Sequence, residues 1–108
     1  MLDGFVLFEL VFDETGKPVD HRYLEVNPAY EKFTGLTASE IINKTLREVV
    51  TEVQDDWIQK LAQVAITGET IRFEQFSARN EKTYEIFAYS PKFGQFALII
   101  SDITQRKN

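Results

Sequence analysis

The order in which the hydrophobic period changes constrains this chain most. Gly4 to Phe12 is apolar and rich in β-formers, so it reads as a strand. Asp13-Glu14-Thr15-Gly16-Lys17-Pro18 is turn chemistry, and Val19 to Val26 reads as a second strand, which makes the opening pair a hairpin. A helical region follows. From Thr70 the strand pattern returns in Thr70 to Ala78, Thr83 to Ser90 and Gln95 to Asp102. The turns between these runs, Asn80-Glu81-Lys82 and Pro91-Lys92-Phe93-Gly94, are too short for parallel crossovers, so neighbours in this part are antiparallel. Two strands, several helices and three strands form an α+β order: an antiparallel sheet with helices on one face.

The junction into the helical region is well punctuated. Asn27 offers a side-chain oxygen to the free amides of a new helix, Pro28 occupies the first helical position, and Gly35 stops the helix early. Tyr30, Phe33 and Ala29 give it one short apolar face. Thr37-Ala38-Ser39-Glu40 and Thr45-Leu46-Arg47-Glu48 both have capping-box spacing. Asp55 or Asp56 can cap a longer helix that runs to about Thr67 and is closed by Gly68. Its Trp57, Ile58, Leu61, Val64, Ala65 and Ile66 recur at helical spacing and read as a core stripe.

The 108 residues correspond to about one ordinary domain. A composition that is 44% hydrophobic, with nine Phe, supports a packed core. A net charge of -5 and a pI near 4.8 argue against a nucleic-acid binder, which would need a basic stripe. The longest apolar run, Phe96 to Ile100, is the size of a strand and far short of a membrane span. The absence of cysteine removes disulfides, thiolate nucleophiles and covalent cysteinyl cofactors, and it fits a cytoplasmic setting. The abrupt ends read as a domain cut from a longer protein.

Period two divides the late strands into two sets. Ile71, Phe73 and Gln75 go with Glu85, Phe87 and Tyr89 and with Phe96, Leu98 and Ile100. Arg72, Glu74 and Phe76 go with Tyr84, Ile86 and Ala88 and with Ala97, Ile99 and Ser101. Neither set is cleanly polar, so the face away from the helices is expected to meet a second copy or a flanking helix. Tyr84, Ile86, Ala97 and Ile99 are the residues expected there. If the first set faces the helices, Glu85 is buried and needs a partner or a proton. Gln75, Glu85 and Tyr89 would then be the polar groups of an apolar pocket that also contains Tyr30, Phe33, Trp57, Phe73, Phe87, Leu98 and Ile100. A shift of one residue, as a bulge would produce, leaves Glu85 in water instead.

Catalytic and metal chemistry is sparse. The single histidine, His21, reads as a surface residue without convergent ligands, so no metal site is expected. There is no phosphate loop, nucleophile elbow or HExxH motif. Asp55-Asp56 reads as a helix cap, and no catalytic residue is assigned.

Taken together, this order of elements, the segment from Asn27-Pro28-Ala29-Tyr30 to Phe33-Thr34-Gly35, and the closing Asp102-Ile103-Thr104-Gln105-Arg106-Lys107 resemble a PAS sensor domain. Asp3-Gly4-Phe5, Thr67-Gly68-Glu69 and Tyr89-Ser90-Pro91 add to the likeness, which covers essentially the whole chain. It implies a five-stranded antiparallel sheet in the order 2-1-5-4-3. It also implies a sensory or dimerising module of a bacterial-type signalling protein, with a histidine kinase or a cyclic-dinucleotide enzyme as output. Residues 1–104 would be the sensor and 105–108 the start of a linker helix. Asp102, Thr104 and Arg106 would form the output junction.

The departures from the family narrow the cofactor. Light-sensing flavin relatives use a cysteine, which is lacking here, and a glutamine where Ile100 stands. Haem relatives use a histidine on the long helix, and Trp57 to Thr67 has none. Non-covalent flavin stays open, with Trp57 as a stacking residue, as do another small ligand, no ligand at all, and a homodimer.

Overall fold

The computed structural model describes residues 3–78 and 80–104. In these residues β1 (Gly4–Phe12) and β2 (Pro18–Val26) form the hairpin. The helices are α1 (Pro28–Thr34), α2 (Ala38–Ile41), α3 (Leu46–Val49) and α4 (Asp55–Thr67), and β3 (Ile71–Ser77), β4 (Lys82–Tyr89) and β5 (Gln95–Asp102) follow. The strands form one antiparallel sheet in the order β2-β1-β5-β4-β3.

Asn27 is why α1 starts where it does. Its Oδ1 accepts from the amides of Tyr30 and Phe5, both at 2.9 Å, and its Nδ2 donates to the carbonyl of Asp3 at 2.9 Å. One side chain thus caps α1 and ties that helix to the start of β1. Gly35 ends α1 at φ 76°, with its amide donating to the Glu31 carbonyl. Gly4 lets α1 lie close on β1, because a Cβ there would stand 3.1 Å from the Phe33 ring. Thr45 caps α3: its hydroxyl accepts from the Glu48 amide, and the Glu48 carboxylate accepts from the Thr45 amide at 2.8 Å. The cap of α4 is Gln54, not an aspartate. Asp55 and Asp56 lie in its first turn, where the positive end of the helix dipole favours carboxylates.

The core lies between the helices and one sheet face. Val6, Phe8, Tyr23, Ile41, Ile58, Leu61, Val64, Phe96 and Leu98 are buried in it. The pairing of β4 corrects the expected division of faces. Ile86 pairs with Ile100 and Ala88 with Leu98, so Tyr84, Ile86 and Ala88 face the helices. Glu85, Phe87 and Tyr89 lie on the opposite face, beside Ser101, Ile99 and Ala97. Both sets of β4 carry apolar side chains, so periodicity alone does not choose between them. The cross-strand partners do.

His21 is the second correction, since it is fully buried rather than on the surface. Pairing with Leu10 turns it inward, between Phe8 and Phe96, whose ring centroids lie 5.6 and 4.7 Å away. Its Nε2 lies 3.2 Å from the Ile58 carbonyl, and Nδ1 has no partner. Burial pushes its pKa down to about 4.

Candidate functional site

A cleft of about 630 Å³ opens between α3, the start of α4 and β3, and Leu46, Val50, Val53, Trp57, Lys60 and Gln75 account for most of its wall. Glu52, Gln54 and Asp56 complete the lining. The volume is that of a small-molecule site. Its local origin is the segment that leaves α3 after Val49 and re-enters helix at Asp55, which turns Val50 and Val53 toward Trp57. Arg47 holds this segment. It donates from Nε to the Val19 carbonyl and from Nη1 to the Val53 carbonyl, and its Nη2 pairs with Asp55 at 3.6 Å. Trp57 meets Phe73 edge to face at 5.7 Å, and the Lys60 ammonium sits 3.7 Å from the centre of the Phe73 ring.

Of the pocket residues expected from sequence, Trp57 and Gln75 line this cleft, and Phe73 backs it. Tyr30, Leu98 and Ile100 are packed in the core, and Phe33 packs against Tyr84 with ring centroids 5.3 Å apart. The Tyr30 and Tyr23 hydroxyls are 3.4 Å apart, and burial raises the pKa of both phenols. Glu85, Phe87 and Tyr89 stand on the far face, where Glu85 pairs with Arg72 at 3.4 Å, so the buried-carboxylate alternative does not hold. Tyr84 and Ile86, expected on the outer face, are inside, while Ala97 and Ile99 do occupy that face. Leu46, Val50, Glu52, Val53, Gln54, Asp56 and Lys60 were not anticipated. Part of the signal was present, because Asp56 and Lys60 lie four positions apart, and Trp57 and Lys60 three apart, on the helix that sequence and structure share.

The junction at the end of β5 is built from short polar side chains. Asp102 Oδ1 accepts from the Thr104 amide at 3.0 Å, and Asp102 Oδ2 pairs with Lys82 at 3.3 Å. Thr104 Oγ1 accepts from the Thr83 amide at 3.0 Å. The Thr104 side chain and amide, helped by Lys82, hold the Asp102 carboxyl below the usual carboxylate range. Arg106, the third residue expected here, lies outside the described residues, as do the other residues of 105–108. Among the described residues there is no cluster of His, Cys, Asp and Glu able to hold a metal ion, and no helix is long and apolar enough to cross a membrane.

A family model described as the PAS fold matches residues 19–108. This chain belongs to the PAS family. PAS domains are generally sensory modules for signal input, regulatory rather than enzymatic. Among solved structures, the PAS domain described here is similar to a domain of an HTR-like protein from Haloarcula marismortui. That match has 20% identity and a TM-score of 0.68, and covers 94% of this chain and 98% of that one. It is also similar to an RNA-binding light-oxygen-voltage receptor, at 18% identity and TM-score 0.60, covering 97% of this chain and 31% of that one. The light-oxygen-voltage protein of Rhodobacter sphaeroides matches at 13% identity and TM-score 0.54, covering 95% of this chain and 61% of that one. This PAS domain thus spans about a third and three-fifths of the two light-oxygen-voltage chains. At these identities the likeness is one of fold. No curated protein matches the sequence.

Proposed function

We propose that this PAS domain, residues 1–104, is the signal-input part of a multidomain protein, a histidine kinase or cyclic-dinucleotide enzyme of bacterial type working in the cytoplasm. A small ligand enters the cleft beside Trp57, and the change passes through Asp102-Ile103-Thr104 into a linker that starts at 105–108. The observation that carries this reading is one row across the sheet. Gln75 pairs with Tyr84, and Tyr84 pairs with Asp102. The cleft residue and the junction residue are therefore two strand spacings apart, roughly 10 Å. Tyr84 also adjoins Thr83, whose amide holds Thr104. A ligand that changes the seat of Gln75 acts on a ladder whose next members hold the exit, provided that it binds the two states of that ladder unequally.

Non-covalent flavin is one candidate, because the cleft offers Trp57 for stacking and the amides of Gln54 and Gln75 for a ring edge. A cysteinyl adduct is closed to a chain without cysteine. Haem held by histidine has no ligand here, since α4 has no histidine and His21 is sealed in the core. Native mass spectrometry with an absorption spectrum of freshly purified protein tests the reading. A retained small molecule, or a rise in melting temperature with a member of a metabolite panel, is expected. Protein that is colourless, ligand-free and unshifted by every compound overturns it.

A second reading, a ligand-free dimerisation or protein-interaction module, is favoured by the outer sheet face. Phe5, Ile99 and Phe87 form one row across three strands, and Leu7, Ala97 and Tyr89 form another. Contiguous apolar rows of this kind suit sheet-on-sheet packing with a second copy.

A further inference from the structure

We infer that the cleft beside Trp57 selects a planar aromatic ligand carrying a positive charge, an arylalkyl-ammonium, and discriminates against anionic aromatics. This rests on the reading of the cleft as a ligand site. The first ground is that the fold already places an alkylammonium against the aromatic wall. Lys60 Nζ lies 3.7 Å from the centre of the Phe73 ring, while Trp57 meets that ring edge-on. Lys60 is exposed and its stem is flexible, so a ligand ammonium can take its place on the ring.

The second ground is the charge of the lining. Glu52 and Asp56 bring two carboxylates against the one ammonium of Lys60. An incoming cation finds partners in these carboxylates, whereas an incoming anion meets them and must draw Lys60 away from Phe73. The third ground is that the neighbouring cation able to fork a carboxylate or phosphate is already committed. All three nitrogens of the Arg47 guanidinium are engaged, with the Val19 carbonyl, the Val53 carbonyl and Asp55. The net charge of -5 acts in the same direction. A phosphorylated flavin is therefore a poor fit for this cleft, even though its ring system suits the volume and the aromatic wall.

The test uses two probes of one shape and opposite charge, 1-pyrenemethylammonium and 1-pyrenecarboxylate. Trp57 is the only tryptophan of the chain, so quenching of its fluorescence reports on this cleft. The ammonium is expected to bind about tenfold more tightly than the carboxylate, a factor within reach of two partly screened charge contacts. The double variant Glu52→Gln/Asp56→Asn should bring the two probes within about threefold of each other. Glu14→Gln/Glu69→Gln makes the same change in net charge outside the cleft and should leave the preference intact. Equal or tighter binding of the carboxylate overturns the charge selectivity while leaving the cleft as a site. Loss of preference in both double variants also overturns it, because the cause would then be net charge alone. Failure of both probes to quench Trp57 overturns the aromatic-ligand inference, while the wider reading of the cleft as a ligand site stands or falls by the metabolite panel.

Discussion

Thr104 holds the backbone amide of Thr83, and its neighbour Ile103 holds the Thr83 carbonyl. The Thr83 amide donates to Thr104 Oγ1 at 3.0 Å, and the Thr83 carbonyl accepts from the Ile103 amide at 2.9 Å. The chain leaving β5 is thereby fixed to the start of β4. Thr104→Val keeps the shape and removes the acceptor, so the Thr83 amide loses its partner. A loss of about 1 kcal/mol is expected in urea unfolding. Amide exchange should rise at Thr83 while the β1–β5 pairs stay protected, and a uniform rise across the sheet would mean that the contact does not act locally.

Asn27 carries more than a helix cap. Asn27→Ala removes the acceptor of two amides and the donor to Asp3, and should cost about 2 kcal/mol, the upper end for a cap. Asn27→Asp retains the acceptor and should cost less than the alanine change. Chemical denaturation of the three proteins checks the order, and equal losses for both variants would show that Oδ1 is not the working atom.

Two isoleucines on neighbouring strands separate the core from the outer face. Ile99 lies on the outer face, where both had been expected, while Ile86 is inside. Ile86→Lys buries an unpaired charge and should abolish cooperative folding. Ile99→Lys should leave the monomer folded and convert a dimer to monomers in sedimentation velocity. A folded Ile86→Lys protein would refute the phase of β4 described above.

His21 makes the fold sensitive to acid. In the unfolded chain its imidazole takes a proton near 6.5, but in the folded core only near 4, because burial opposes the charge. The unfolded state therefore binds more protons across that window. Stability is full above about pH 6.5 and falls as the pH drops, with a loss of about 2 kcal/mol by about pH 5. Urea midpoints measured down that range check this, and His21→Leu should flatten this limb. An unchanged slope in His21→Leu would assign the acid sensitivity to other groups.

These residues also show what was legible in the sequence. Element order and most caps followed from local chemistry, because Asn27, Pro28, Gly35 and the Thr45–Glu48 pair act on their immediate neighbours, whereas the cap of α4 fell on Gln54 and the sheet order came only from the family resemblance. The faces of β4 did not follow, because Tyr84, Ile86 and Ala88 are about as apolar as Phe87 and Tyr89. Only the long-range pairing with β5 tells the two sets apart. His21 was misplaced for a related reason. A polar side chain in a strand rim reads as exposed, yet pairing with Leu10 turned it inward. The cleft was half visible: Trp57 and Gln75 were named, while Leu46 and the segment from Val50 to Asp56 join them only through tertiary folding.

The pairing of Gly4 with Ile100 has a mechanical consequence. The start of β1 and the end of β5 lie side by side on adjacent antiparallel strands, so the chain enters and leaves at one edge of the body. Force applied through the two ends does not load the ladder in shear. It opens the β1–β5 seam from that edge, one pair of hydrogen bonds after another, as a zipper opens. A module hung in this way yields to small tension, and the first pairs to part lie beside Asp102 and Thr104.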